Sequence, residues 1–418
     1  MKNLYLLLLV GLFQVGGLQA ADSNSDFHWD GLLDGRLVQT DKTPGWLDGG
    51  LGKTLYGGEL SQNLQEQQTS LNLAEASVIL RTEIDWSWSA YVHLKSDPEQ
   101  KQSIDMVEGF VSFKPVSTSS LWLEVRAGAF FPPVSYENEG LAWTNTYTLS
   151  NSAINTWIGE EIRTLGLETR LTLHGENSIW RFWASAFGAN DPAGSLLVWR
   201  GWALHDRETG LTDRLPLAAL PAIEEGGIFE NQVRWVEPFH ELDGRLGGYA
   251  ALEFESPEYG RVRILRYDNF ADIKEFDGRQ YAWRTRFQGV GLETWLPWEL
   301  TLVSQYLTGD TLMFDELYGV YADYTSWFLL LSKSISSQIV TIRYEQFDII
   351  DHDHNYANDD NSEKGSAYTL AYRIGIGDKQ LLLAELIKVN SDRPARSQLG
   401  WEREVSETLV QIAYRRKL

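Results

Sequence analysis

Charged residues two apart recur along this chain. Glu124 and Arg126, Glu168 and Arg170, Arg284 and Arg286, and Arg343 and Glu345 form such pairs, and Arg373 follows Thr369 at a spacing of four. A spacing of two puts both side chains on one face of an extended strand. Such a face can order water and screen dissolved ions and dipoles, and it needs no covalent step. A second group lies in the segment 132–160, where Tyr136, Glu137, Glu139, Glu160 and Glu161 follow the stiff corner Phe130-Phe131-Pro132-Pro133. If that segment folds inward it narrows a passage, with its acids opposite Arg126, Arg284 or Arg286. A transverse field of that kind favours small dipolar solutes.

Other chemistries fit less well. Asp351-His352-Asp353-His354 and Asp359-Asp360 have ligand types for a divalent cation, but their spacing matches neither an EF-hand nor a zinc motif, and a solvated acidic loop is the default. Gly49-Gly50-Leu51-Gly52-Lys53-Thr54 resembles a phosphate loop only superficially, since Leu47 stands where that pattern requires Gly. No Gly-x-Ser-x-Gly occurs. His205-Asp206 and His240-Glu241, both in the long connection 190–245, offer a loop dyad for a surface enzyme. Trp199, Arg200, Trp202 and Trp235 of that connection offer an aromatic surface for sugars or, more simply, internal packing. With Cys 0 there is no disulfide or thiol chemistry. No metal or other cofactor is expected, and no catalytic residue is assigned.

The elements that position these groups are strands. Leu121, Leu123, Val125, Ala127 and Ala129 alternate with Trp122, Glu124, Arg126 and Gly128. Val340, Ile342 and Tyr344 oppose Thr341, Arg343 and Glu345. Tyr281, Trp283 and Phe287 oppose Arg284, Arg286 and Gln288. Period two with one apolar face marks a wall between unlike media. The pattern predicts sixteen strands, at 27–41, 74–85, 87–97, 103–114, 119–131, 161–174, 177–189, 246–256, 260–271, 279–297, 299–310, 324–335, 337–349, 366–376, 380–391 and 407–418. Seven joints are tight and alternate with eight that are mostly longer. Gly289 and Gly291 predict a bulge where strand 279–297 changes phase. Trp86, Trp88, Trp122, Trp180, Trp295, Trp298 and Trp327 fall near predicted strand ends, as an interfacial girdle requires.

Composition narrows the class. Asp+Glu 58 against Lys+Arg 36 gives a net charge of −22, which excludes a basic nucleic-acid footprint. Lys2, the apolar run Leu4 to Val15 and Gln19-Ala20-Ala21 read as a signal peptide, 1–20, for export. Beyond it no apolar run reaches the length of a spanning helix. A closed barrel crosses lipid without one. Long joints on one side and short turns on the other are the mark of such a barrel, and 21–418 is assigned to it. Ionised side chains confined to one phase imply a wet interior, because facing lipid would cost each about 2–4 kcal/mol at mid-depth.

The chain then resembles Gram-negative outer-membrane porins, within the broad group that includes phosphate-selective porins. The residues that carry the resemblance are Arg126-Ala127-Gly128-Ala129-Phe130-Phe131-Pro132-Pro133, Tyr136-Glu137, Ser152-Ala153-Ile154-Asn155, Trp157-Ile158-Gly159-Glu160-Glu161 and Leu165-Gly166-Leu167-Glu168. The C-terminal strand, with Thr408, Val410, Ile412, Tyr414 and Leu418 in one phase, is similar to the terminal signal of such barrels. The resemblance implies an all-β, antiparallel transmembrane barrel of about sixteen strands in the outer membrane of a Gram-negative bacterium. It also implies passive diffusion of small hydrophilic solutes or ions, contact with outer-membrane lipid and lipopolysaccharide, and assembly as a homotrimer. Phosphate selectivity does not carry over, since the chain has no dense Lys/Arg cluster. A surface enzyme and a secreted carbohydrate-binding β protein are the competing expectations.

Overall fold

The computed structural model describes residues 26–61, 64–315, 319–353 and 359–418. Residues 1–20, expected from the sequence to be a signal peptide, and His354 lie outside them. Sixteen antiparallel strands close into one barrel. In chain order they are β1 (Asp26–Thr40), β2 (Thr69–Glu83), β3 (Trp88–Ser96), β4 (Asp105–Phe113), β5 (Leu121–Phe130) and β6 (Thr164–His174). Next come β7 (Ile179–Gly188), β8 (Gly247–Ser256), β9 (Gly260–Asp268), β10 (Trp283–Leu296) and β11 (Leu300–Met313). The last five are β12 (Val320–Ile335), β13 (Gln338–Asp351), β14 (Glu363–Gly375), β15 (Gln380–Asp392) and β16 (Glu404–Lys417). Each pairs with its neighbours, and β1 pairs with β16 through Leu32↔Lys417 to Thr40↔Leu409, which removes every open edge.

Each predicted strand has its counterpart. The largest shift is at β2, which begins at Thr69 rather than at 74, and β12 begins at Val320, which with a longer β11 shortens the predicted loop 311–323 to 314–319. Short turns such as 257–259 and 336–337 gather at one mouth of the barrel, together with the start of β1 and the end of β16. Connections 41–68, 131–163 and 189–246 leave the other mouth.

The outer wall is apolar, with Leu37, Leu167, Leu252, Ile264, Leu329, Ile342, Leu370, Leu386 and Ile412 all exposed. At the short-turn mouth Trp86, Trp122, Trp180, Trp295 and Trp298 stand out from the wall. Trp327 points outward from within β12 and touches Tyr344, which touches Tyr368, in a second aromatic band. Among the described residues no helix is long and apolar enough to cross a membrane.

The expected bulge at Gly289 and Gly291 does not occur. β10 runs in continuous register with both neighbours, and the register shifts lie instead at Asp34/Gly35 and His93/Leu94. The apparent phase change has another cause. The barrel interior is itself apolar near the long-loop mouth, so Trp283 and Phe287 face inward while Val290 and Leu292 face outward, without any break in alternation. Gly291 faces inward because the ring of Tyr136 lies against it: a Cβ there would sit 2.7 Å from Tyr136 Cε2.

Candidate constriction inside the barrel

The segment 131–163 leaves β5 and crosses the lumen. Its start is fixed to the wall by the Phe131 amide donating to Glu108 (3.0 Å) and by Arg126 Nη2 donating to the Phe131 carbonyl (3.0 Å). Farther on, the Tyr136 hydroxyl donates to Glu253 of β8 (3.0 Å), and its ring lies under the guanidinium groups of Arg261 and Arg263 of β9. The Tyr147 hydroxyl donates to Glu293 of β10 (2.6 Å), and Arg373 of β14 donates to the Thr146 carbonyl (2.6 Å). The Leu149 and Ser150 amides donate to Glu385 of β15 (2.8 and 3.1 Å). Ala142 packs on Leu32 and Ile79 of β1 and β2. The segment therefore touches the wall from β1 around to β16.

Arg343 of β13 is the central anchor. Its Nε donates to Glu345 (2.8 Å). Nη1 donates to Glu137 and to the Ser150 carbonyl (2.9 Å each), and Nη2 to the Asn151 carbonyl (2.9 Å). Glu345 in turn accepts from the Ala153 amide (2.7 Å), and Glu137 from the Ser152 hydroxyl (2.6 Å). Ser152 caps α1 (Ala153–Glu161), its side chain accepting from the Asn155 amide. Arg343, Glu137 and Glu345 are all fully buried.

A second segment, 189–246, fills the lumen nearer the long-loop mouth. It carries α2 (Ser195–Arg200), whose Leu196, Leu197, Val198 and Trp199 are fully buried. Trp199 meets Trp283, and Trp157 of α1 meets Phe287 and Tyr324. Trp46 and Leu51 of the first connection join the same core. Two adjacent acids of α1 hold the segments together. Glu160 accepts from Arg200 Nη2 (2.7 Å) and His205 Nε2 (2.8 Å). Burial opposes its ionisation, but Arg200 and His205 outweigh this and hold it down to about 2. Glu161 accepts from Trp157 Nε1 (2.8 Å) and the Leu196 and Leu197 amides (2.9 and 3.1 Å). Burial, with Glu160 beside it, pushes Glu161 up to about 7.

The sequence-singled wall residues divide by face. Arg126 pairs with Glu168 (2.7 Å), and Arg170 with Glu124, in the interior; Arg170 is 37% and Glu124 21% exposed, toward the short-turn mouth. Arg343, Glu345 and Arg373 also face inward. Arg284 and Arg286 do not. They share the outward phase of Val290, pair with Asp268 (3.2 Å) and Asp310 (2.8 Å), and stand outside the lumen. The alternation predicts Arg284 and Arg286 on the lumen face, opposite apolar Tyr281, Trp283 and Phe287, but these three serve the interior packing around α1 and α2, so the arginine phase is the outer one. Within the loop, Glu139 pairs with Arg261 and is 47% exposed, whereas Glu137, Glu160 and Glu161 are anchors with no open face.

Several interior residues carry no signal in the chain order. Asp34, Arg36, Asp206 and Arg415 form a buried quartet joining β1, β16 and segment 189–246, with Arg415 Nε donating to Asp34 (2.6 Å) and Arg36 Nη1 to Asp206 (2.8 Å). Lys53, Glu363 and Arg393 form a buried trio, with Arg393 3.1 Å from Glu363. Period two on β1 and β16 marks Asp34, Arg36 and Arg415 as one-faced, but nothing local ties them to Asp206.

His205 and His240 do not form a catalytic pair. Nδ1 of His205 accepts from the Arg207 amide (3.1 Å) and Nε2 faces Glu160, so neither ring nitrogen is left for a substrate. His240 lies at the rim, 3.5 Å from Asp277. His352 faces Asp323 (2.9 Å) on the outer surface.

No family profile matches the sequence, and no curated protein matches it. Solved structures match in shape. The outer membrane channel DcaP of Acinetobacter baumannii is 8% identical with a TM-score of 0.57, over 96% of this chain and 100% of that one. A loop-L8 deletion form of OmpT, an outer membrane protein of Vibrio cholerae, is 7% identical with a TM-score of 0.52, over 95% of this chain and 100% of that one. The in-vitro folded OmpT is 8% identical with a TM-score of 0.50. At these identities the likeness is one of fold alone, shared with proteins of the bacterial outer membrane.

Proposed function

We propose that this chain is an outer-membrane channel of a Gram-negative bacterium that passes small hydrophilic solutes or ions by passive diffusion, with segment 131–163 as its constriction. The supporting observation is a loop fastened across the lumen by charge-assisted hydrogen bonds to β8, β13 and β15, inside a wall whose outer face is apolar. Ionised groups belong where water reaches them or where a partner compensates them. The wall and the crossing segment together supply both environments: Glu124, Arg170 and Glu139 face the vestibule at the short-turn mouth, and Arg343, Glu137 and Glu345 compensate one another beneath it. Solute then meets a charged vestibule and a layer crossed by the segment, where size and dipole decide entry. The enzyme alternative loses support from the occupied nitrogens of His205. The expected homotrimer is part of the same proposal and is tested by the mass of the detergent-solubilised particle.

Planar-bilayer recording of the purified protein tests this reading. The intact protein is expected to give small unitary steps, and excision of 140–146 larger ones. Silence of both proteins, after each is shown to be folded and inserted, would overturn it.

A further inference from the structure

The connection from β13 to β14 at the long-loop mouth carries acids that neither the wall nor the crossing segments use. Its neck is closed by Asp351, whose Oδ2 accepts from the Asn361 amide (2.8 Å) and whose own amide donates to Ser362 Oγ (3.3 Å). Within the connection Asp359 is 4% exposed, and neither of its carboxylate oxygens accepts a hydrogen bond from a described residue. Asn361 is fully buried; its Nδ2 donates to the Asp359 carbonyl (3.2 Å), while its Oδ1 accepts nothing. Burial opposes the charge on Asp359, Asn361 lies close enough to ease it, and the carboxylates of Asp351 and Asp360 oppose it further. Arg393 lends its positive charge but no contact, because Nη1 is held by Glu363 (3.1 Å) and the Asn361 carbonyl (3.4 Å) and Nη2 by the Val198 carbonyl (2.6 Å). A buried carboxylate without donors is stable only if it keeps a proton or meets a cation.

We infer that this connection binds one calcium ion, with the carboxylate of Asp359 and the amide oxygen of Asn361 as ligands and Asp351 supplying the second negative charge. The donors are all hard oxygens, the set that calcium takes and transition metals do not favour. His352 is not among them, since its ring faces Asp323 (2.9 Å), so zinc has no imidazole there. A site with so few protein oxygens is completed by water, which puts its affinity with that of extracellular calcium modules, a Kd of about 10⁻⁴–10⁻³ M. Asp191, Glu241 and Asp243 also bring carboxylate oxygens within 4.8 Å of one another, but backbone amides of Leu242, Ala189 and Arg245 already donate to all three. The inference does not rest on conduction, and a silent barrel would leave it standing.

The test uses the full-length barrel, folded in detergent and stripped of divalent cations with EDTA. Equilibrium dialysis against radioactive calcium counts bound ions, in about 150 mM sodium chloride to screen weak surface binding. The intact protein is expected to hold one ion in that affinity range. Asp359→Asn should weaken binding by about tenfold or more and Asn361→Ala by several-fold, as loss of a charged and of a neutral ligand does. If Asp359→Asn does not fold, Asn361→Ala decides by the same criterion. Glu241→Gln should bind as the intact protein does. Calcium held by Asp359→Asn with the parent's affinity overturns the inference, as does the lack of a saturable site in the intact protein up to about 10 mM calcium. A loss confined to Glu241→Gln overturns the location. Magnesium displacing calcium at equal concentration overturns the choice of ion.

Discussion

Arg343→Gln is the sharpest perturbation of the constriction. Arg343 makes four contacts to the crossing segment, to Glu137, Thr148, Ser150 and Asn151, and one to Glu345 on its own strand. The substitution leaves two buried carboxylates without their counter-ion, and breaking a buried pair in this way costs about 3–5 kcal/mol. That is roughly two to four orders of magnitude in the equilibrium between docked and undocked loop. The barrel hydrogen bonds are untouched, so the loss falls on the loop rather than on the wall. Tyr136, Tyr147 and Ser150 keep their own anchors on Glu253, Glu293 and Glu385, so the segment is expected to fluctuate rather than leave. In planar bilayers the variant should show larger mean conductance and added current noise. Arg343→Lys, which keeps the charge but loses the fork, should fall between. A folded, heat-modifiable Arg343→Gln barrel with the noise and conductance of the parent would refute the role of this anchor.

Further outcomes follow from the same geometry. Glu161 is held near 7, above its unfolded value near 4.5, so the stability it lends to the α1–α2 contact is complete below pH 4.5 and is lost as pH rises through 7, in total of order 3 kcal/mol. Protease protection of segment 189–246 should therefore weaken from pH 5 to pH 8, and Glu161→Gln should flatten that dependence. Glu139→Gln removes a vestibule carboxylate and leaves Arg261 with Glu293 alone; the reversal potential in a salt gradient should move toward anions. Arg286→Met should leave conductance unchanged, because its side chain stands outside the lumen, whereas Arg126→Met should alter it. Trp157→Ala removes a fully buried ring between Phe287 and Tyr324 and should cost about 3–5 kcal/mol in thermal or denaturant unfolding.

The wall was legible because its code is local. Thr341, Arg343 and Glu345 alternate with Val340, Ile342 and Tyr344, and such a pattern has one solution when the two faces meet different media. The same rule misplaced Arg284 and Arg286, because it equates apolar with lipid. On β10 the apolar side chains Trp283 and Phe287 meet α2 and α1 instead, and a period-two pattern does not say which of two apolar environments lies behind it. The anchors of the crossing segment were partly visible as acids after a Pro-Pro corner. Their partners were not: Glu137 meets Arg343 206 residues later, and Asp34 meets Arg415 381 residues later. Pairings of that separation are products of closure, and no window of sequence contains them.

The buried quartet at the meeting of the first and last strands ties assembly to content. Asp34 and Arg36 lie on β1, Arg415 on β16, and Asp206 on a segment packed within. The seam and its cargo are thus knotted by the same four side chains. Segment 189–246 must already be threaded inward when the two edge strands zip, or Arg36 and Arg415 would be sealed away with Asp34 as their only carboxylate and one positive charge left over. Sealing a cylinder of this kind is therefore a single concerted act, in which the last ladder of the sheet also certifies that the interior has been filled.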